Sequence, residues 1–470
     1  METKTQIRDN LFHKHMAEAT AEGLENINRL LVNKEYIGTY FDWYEISYRE
    51  NGFPDFSEKY NNRKTNYASA FGIDEKAKIK VSNLHNFNTY LEYALSNEHI
   101  KNYFKHPNDD KYMLMEFGIL SFVESAIDRY IHLNNTTEFE LEKFNPIYIE
   151  LENGIFSDVL KLEVYVPILF VKLDFESKII GEGIRIERMN DLFQLARVPS
   201  KYSHDVHPLV ASSATHALLM SGWELKNTNY WQLLMRGTGT SRELINKIDE
   251  FFGVLRVVHG LKTGYSQVIL KKVNWSHGYT ANLPNLSKTS IRSYPLEFEN
   301  LYWSKNFSVT NLNFGQLKKI WDGIENIQDN KLKVSLKRLN QCLLRNEEED
   351  SILDATIAME VLLSDRQPQE MTHKLAMRVA ALSKLSKIED SAMKVFRNIK
   401  KIYSYRSSIV HGSKKTNKKR EIKISVDKSI PTLEMAILYL RMIIETLIEN
   451  PQYLEPEKID EQLLLQTKGT

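Results

Sequence analysis

The sequence predicts an α+β N-terminal region followed by an all-α helical bundle. Three observations carry that expectation. From about residue 311 onward, apolar residues recur at intervals of three, four and seven, the spacing of a single helix face. Before it, residues 160–171 form a dense apolar and β-branched run, and isoleucines at 179, 180, 184 and 186 surround Gly181 and Gly183, the pattern of strands joined by turns. A chain of 470 residues also exceeds what one core usually holds, so two or three domains are expected. The expected division is residues 1–310 as an α+β region of one or two subdomains, 311–455 as the bundle and 456–470 as a polar tail.

Taken in order, residues 60–78 read as a polar connection and 112–133 as a helix. The run 160–171 and the pair around Gly181 and Gly183 read as strands. Residues 242–258 are helical, while 267–274 and 288–299 are strand-rich. Six helical patterns follow at 317–327, 332–344, 352–363, 375–385, 392–410 and 433–448, with a break at 327–330. Their short polar connections favour antiparallel packing. The last helix begins after Pro431, and Leu433, Ile437, Leu440, Ile444 and Leu447 form one stripe. Met435, Leu438 and Met442 add a second apolar flank, which either a dimer surface or a larger intrachain core would explain. No repeat or low-complexity tract is present.

Composition narrows the class. Hydrophobic residues make up 42%, aromatics 11% and charged residues 26%, as in ordinary globular proteins. The start, Met1-Glu2-Thr3-Lys4-Thr5-Gln6, is polar and lacks the apolar core of a signal peptide, so no export is expected. The longest apolar run, 164–171, falls far short of the roughly 20 residues that span a bilayer. Cys342 is the single cysteine, which rules out an intrachain disulfide or a cysteine-based zinc site and fits a reducing cytoplasm.

The most informative stretch is Tyr405-Arg406-Ser407-Ser408-Ile409-Val410-His411-Gly412. Val395, Ile399, Ile402 and Ile409 lie on one helical stripe, and Arg406 projects from that stripe rather than from the polar side. Gly412 is expected as a left-handed cap, leaving His411 in or just beyond the last turn. An arginine fork and a base titrating near neutrality suit phosphate-ester chemistry. A buried ion pair and a capping histidine are the structural alternative. Between residues 401 and 423 eight basic residues face one acidic residue. Lys414, Lys415, Lys418, Lys419 and Arg420 are therefore candidates for binding an RNA backbone, or for a solvated loop.

The stretch Ile402-Tyr403-Ser404-Tyr405-Arg406-Ser407-Ser408-Ile409-Val410-His411-Gly412-Ser413 resembles the signature of the HEPN superfamily, an Arg and a His four to six residues apart. Leu353-Asp354-Ala355-Thr356-Ile357-Ala358-Met359-Glu360-Val361-Leu362-Leu363 and Leu375-Ala376-Met377-Arg378-Val379-Ala380-Ala381-Leu382 resemble the second and third helices of its Apea-like branch, found in bacterial defence proteins. The likeness covers residues 315–450. It implies a metal-independent endoribonuclease without cofactor, of the toxin or abortive-infection kind in antiviral defence, acting on host RNA, tRNA among the options. His411 would be the acid/base and Arg406 would stabilise the phosphorane. Ser407, Ser408 and Glu360 would support them. It also implies a homodimer with a composite site, and residues 1–310 as a sensor or regulatory region for a phage-derived trigger. Many active members carry Asn, Asp or His where this chain has Ser407. The alternative is a catalytically inactive HEPN module binding nucleotide, RNA or a protein partner.

Other groupings are weaker. His204, His207 and His216, with Asp205 nearby, lack good helical ligand spacing, and Pro208 interrupts them, so a metal site is not expected. Gly237-Thr238-Gly239-Thr240-Ser241 lacks the P-loop lysine and reads better as a helix cap through Thr240 or Ser241. His13 and His15 read as surface residues. The six tryptophans show no regular spacing and read as core anchors rather than base-stacking platforms.

Overall fold

A six-stranded antiparallel sheet organises the middle of the chain, in the order β10-β9-β5-β8-β7-β6. Its strands are β5 (Val159–Pro167), β6 (Ser177–Gly181), β7 (Ile184–Arg188), β8 (His216–Lys226), β9 (Tyr265–Lys272) and β10 (Leu286–Ser293). This is a computed structural model, and it describes residues 7–58, 63–74, 76–107, 112–198, 206–235, 240–260, 262–301, 313–365, 371–412, 416–424 and 428–465. The expected boundary at 310 lies outside those residues.

Strand periodicity sends alternate side chains to opposite faces. Val164, Val166, Leu218, Met220, Val268 and Leu270 join one core, whereas Tyr165, Leu219 and Ile269 join another. The first core continues without interruption through α9 (Arg242–His259) into the C-terminal helices α11 (Phe314–Ile327), α12 (Asn330–Leu344), α13 (Glu348–Leu363), α14 (Met371–Leu382), α15 (Ala392–Val410) and α16 (Thr432–Glu449). The second lies beneath the short helices α6 (Asp191–Ala196), α7 (Pro208–Ser212) and α10 (Glu297–Leu301).

A separate helical layer precedes the sheet. It comprises α1 (Asn10–Val32), α2 (His85–Ser96), α3 (Glu98–Phe104), α4 (Tyr112–Asn134) and α5 (Leu141–Phe156), joined by α8 (Tyr230–Met235). Asp9 caps α1 by accepting from Leu11 and Phe12 amides at 3.1 and 2.9 Å. Asp128 on α4 ties the layer to the loop after β9. Its carboxylate accepts from the Tyr40 hydroxyl at 2.5 Å, the Tyr67 amide at 2.9 Å and the Ala281 amide at 3.0 Å.

Several expectations are corrected. The C-terminal region is helical but not all-α, because β11 (Glu421–Lys423) and β12 (Ser429–Pro431) pair as an antiparallel hairpin. Ile422 is buried there, and its alternation with Glu421 and Lys423 is a period-two pattern concealed by the surrounding lysines. The stretch 60–78 is more than a polar connection: it holds a 3₁₀ turn, Tyr67–Ala70, and β3 (Phe71–Gly72) pairing in parallel with β4 (Ile79–Lys80). The strand expected over 288–299 stops at Ser293 and gives way to α10. Residues 456–465 dock as α17 (Pro456–Ile459) and a π-helical turn, Asp460–Leu465, with Ile459 fully buried. The hairpin β1 (Tyr44–Tyr48) and β2 (Pro54–Glu58), and helices α1 and α5, were not anticipated at all.

The second flank of α16 has an intrachain explanation. Met435 and Met442 are buried in the shared core, and Arg441 donates to the Val257 and Val258 carbonyls at the end of α9, at 2.9 and 3.2 Å. Leu438 remains 39% exposed. No helix among the described residues is long and apolar enough to cross a membrane.

Candidate functional site

Helix α15 is positioned by its ends and by its buried stripe. Ser391 caps the start, accepting from the Lys394 amide at 3.3 Å. Val395, Ile399, Ile402 and Tyr405 are buried against α13, α14 and α16. Two polar tethers fix its rotation: Asn398 donates to the Tyr439 hydroxyl at 2.9 Å, and the Tyr403 hydroxyl donates to the Thr356 carbonyl of α13 at 3.3 Å. The helix ends as expected, with His411 as C-cap and Gly412 left-handed at φ 61°.

Arg406 emerges from the edge of the stripe with its side chain 35% exposed. Its Nη2 lies 3.8 Å from Glu360 Oε1 on α13. At that distance the pair is not hydrogen-bonded, and Arg406 Nε and Glu360 Oε1 are both buried without a hydrogen-bond partner among the described residues. Tyr403 stands beside them. Burial, reinforced by the negative charge of Glu360, pushes its phenol well above the usual range, so it remains a neutral donor. His411 is exposed, five residues beyond Arg406 on the same helix end. Ser407 is also exposed, whereas Ser408 is buried and its hydroxyl turns back to the Tyr405 carbonyl at 2.7 Å.

The basic run is partly engaged within the chain. Arg420 pairs with Glu349 at 3.0 Å and lies 3.7 Å from Glu348. Tyr405 also donates to Glu348, at 2.9 Å. These carboxylates belong to the first turn of α13, where the helix dipole favours negative charge. Lys419 donates to the Ser404 carbonyl at 3.1 Å, and Lys418 is exposed. Lys414 and Lys415 lie outside the described residues. A charge count along a sequence window could not see the acidic turn that folds beside Arg420. Tyr403 was missed for a related reason, because a tyrosine next to an apolar stripe reads as core.

The weaker groupings resolve into structural roles. His207 caps α7 by accepting from the Leu209 amide at 3.3 Å, and buried His216 lies between Thr215 Oγ1 at 2.9 Å and the Phe175 carbonyl at 2.6 Å. His204 and Asp205 lie outside the described residues. Ser241, rather than Thr240, caps α9 through the Leu244 amide at 3.1 Å. Gly237, Thr238 and Gly239 lie outside the described residues. Trp275 and Trp321 are buried anchors, whereas Trp43, Trp223 and Trp231 are only half-buried and Trp303 lies outside the described residues.

Compared with known proteins, the chain matches no family model, no curated sequence and no solved structure.

Proposed function

We propose that the C-terminal helices form a HEPN-like module that cleaves RNA without a metal ion. The observation that carries this reading is the placing of Arg406, one-third exposed with an unpartnered Nε, on the same helix end as the solvent-facing His411. In the proposed reaction the 2′-oxygen of a ribose forms a bond to the adjacent phosphorus while the bond to the 5′-oxygen breaks. The proton of the 2′-hydroxyl leaves to a base, and a proton reaches the departing 5′-oxygen. His411 performs one or both transfers. Arg406 faces the charge that grows on the phosphorane oxygens, and the loosely held Glu360 positions it between turnovers. The products are a 2′,3′-cyclic phosphate and a 5′-hydroxyl.

A second copy of the chain would bring a second Arg406 and His411 to a composite site, with RNA held by Lys418 and its neighbours. In this reading the N-terminal region governs the module during phage infection. The test is expression of wild type, Arg406→Ala and His411→Ala, with mapping of cellular RNA ends. Toxicity and cyclic phosphate ends that vanish in both variants support the reading. Equal phenotypes in all three reject it, leaving a non-catalytic binding module.

A further inference from the structure

A sizeable cavity lies remote from α15. It measures about 730 Å³ and opens between α4, the loop after β9 and the β9–β10 edge. That volume lies within the range of about 300–1,000 Å³ typical of small-molecule sites. Its lining is unusual in charge. Among the described residues it includes Lys272, Lys288 and His277 but a single carboxylate, that of Asp42.

The cations have few counter-charges. Lys272 ends strand β9, and its ammonium lies 4.9 Å from the centre of the Trp275 indole. Among the described residues it makes no ion pair or side-chain hydrogen bond. Lys288 donates to the carbonyls of Ala196 and Val198, both at 3.1 Å, with Asp42 nearby. Behind the wall, fully buried Arg197 is held by Gln194, Gln267 and the carbonyls of Ala211 and Ala214, all of them neutral. Burial lowers the pKa of both lysines, that of Lys272 to about 8. Among the described residues, half-buried Lys272 has only the Trp275 ring against its charge, whereas Lys288 is exposed and already bonded to two carbonyls; a bound anion would offset the desolvation of the first and pair with the second.

The other walls suit an aromatic ring. His277 is 8% exposed, and its buried Nε2 has no hydrogen-bond partner among the described residues. Burial, then the charge of Lys272, hold its imidazole neutral. Its ring packs against Tyr230, whose centroid is 5.8 Å away and which also lines the cavity. Tyr279 has its hydroxyl committed to Glu150 and the Ile147 carbonyl, leaving only its ring for the cavity.

We propose that this cavity binds a mononucleotide, with Lys272 and Lys288 holding the phosphate and the His277–Tyr230 wall meeting the base. The site is independent of the proposed ribonuclease chemistry. It gives the N-terminal region a ligand class: a free nucleotide rather than a protein or a nucleic acid strand.

The experiment is isothermal titration of the full chain with AMP, GMP, CMP and UMP, and with the four matching nucleosides. The expected result is saturable binding of at least one nucleotide, with its nucleoside bound at least about tenfold more weakly. Lys272→Met and Lys288→Gln should each weaken that binding by about tenfold or more while retaining the wild-type circular dichroism spectrum. Arg406→Ala should bind as wild type does. Absence of binding by all four nucleotides at millimolar concentration overturns the proposal. So does equal affinity for nucleotide and nucleoside, or loss of binding in Arg406→Ala with both lysine variants unaffected. Lys288→Gln keeps the test decisive if Lys272→Met does not fold.

Discussion

Arg406 and Glu360 face each other across 3.8 Å from neighbouring helices, close enough to attract and too far to share a hydrogen bond. A guanidinium held this loosely keeps its planar donors available to a phosphate. The side chains are 35% and 20% exposed and the 3.8 Å gap leaves no hydrogen bond between them, so the pair's share of stability is small.

Glu360→Gln should therefore change unfolding free energy by less than about 1 kcal/mol. Cleavage should fall by about tenfold, the cost of letting Arg406 wander from its working position. Denaturant melts beside a cleavage time course separate the two effects. An unchanged rate would remove Glu360 from the machinery.

His411→Ala and Arg406→Ala should each lower cleavage by about 10²-fold or more without a matching loss of stability. Because the two residues serve one transition state, the double variant should be little worse than the slower single one. Fully additive losses would show that they do not act together.

Gly412 adopts φ 61° with open space around the position where a side chain would project. Gly412→Ala should cost about 1 kcal/mol through backbone strain alone, and Gly412→Asn less. Equal melting temperatures for wild type and the alanine variant would mean that the cap does not tie down the helix end.

Arg378 on α14 is 1% exposed and bridges Asp365 at 2.6 Å and Asp460 at 2.5 Å. Arg378→Met should cost about 3 kcal/mol, because two half-sheltered carboxylates lose their counter-ion. The close Arg378 guanidinium holds the Asp365 carboxyl below its ordinary range. Its contribution is thus complete above the unfolded carboxyl pKa and disappears as pH falls through the lower folded value. Acid titration of wild type should show that extra loss, and the Arg378→Met variant should lack it.

Lys272→Met should stabilise the ligand-free protein at pH 7 by about 1–3 kcal/mol. The folded ammonium releases its proton near pH 8, whereas the unfolded chain holds it to the ordinary lysine value of 10.5. Wild-type stability should accordingly rise through that window and approach the variant above it. A constant difference from pH 7 to 11 would contradict the lysine's burial as a charged group.

Much of the helical half was legible because its signals are local. The pattern over 392–410 gave α15 to the residue, and Gly412 gave its cap, since periodicity and capping act within a few turns. What escaped depended on distant partners. The acidic first turn of α13 lies about seventy residues before Arg420, and nothing near Lys272 in the chain foretells that α4 will line the same cavity. Helix α1 was missed although Phe12, Met16, Leu24 and Ile27 follow helical spacing, because charged and polar residues dilute its stripe. The β11–β12 hairpin was hidden by lysines that read as a surface run.

The bonds from Arg441 to Val257 and Val258 carry a practical consequence for dissecting the chain. The last carbonyls of α9 are closed by a side chain nearly two hundred residues downstream, and Met435 and Met442 lie in the core that α9 completes. An expression fragment starting at residue 313 would keep Arg441 but lose α9, expose a greasy flank and precipitate or pair with itself. Fragments meant to carry the helices should therefore retain α9 together with the strands that share its core.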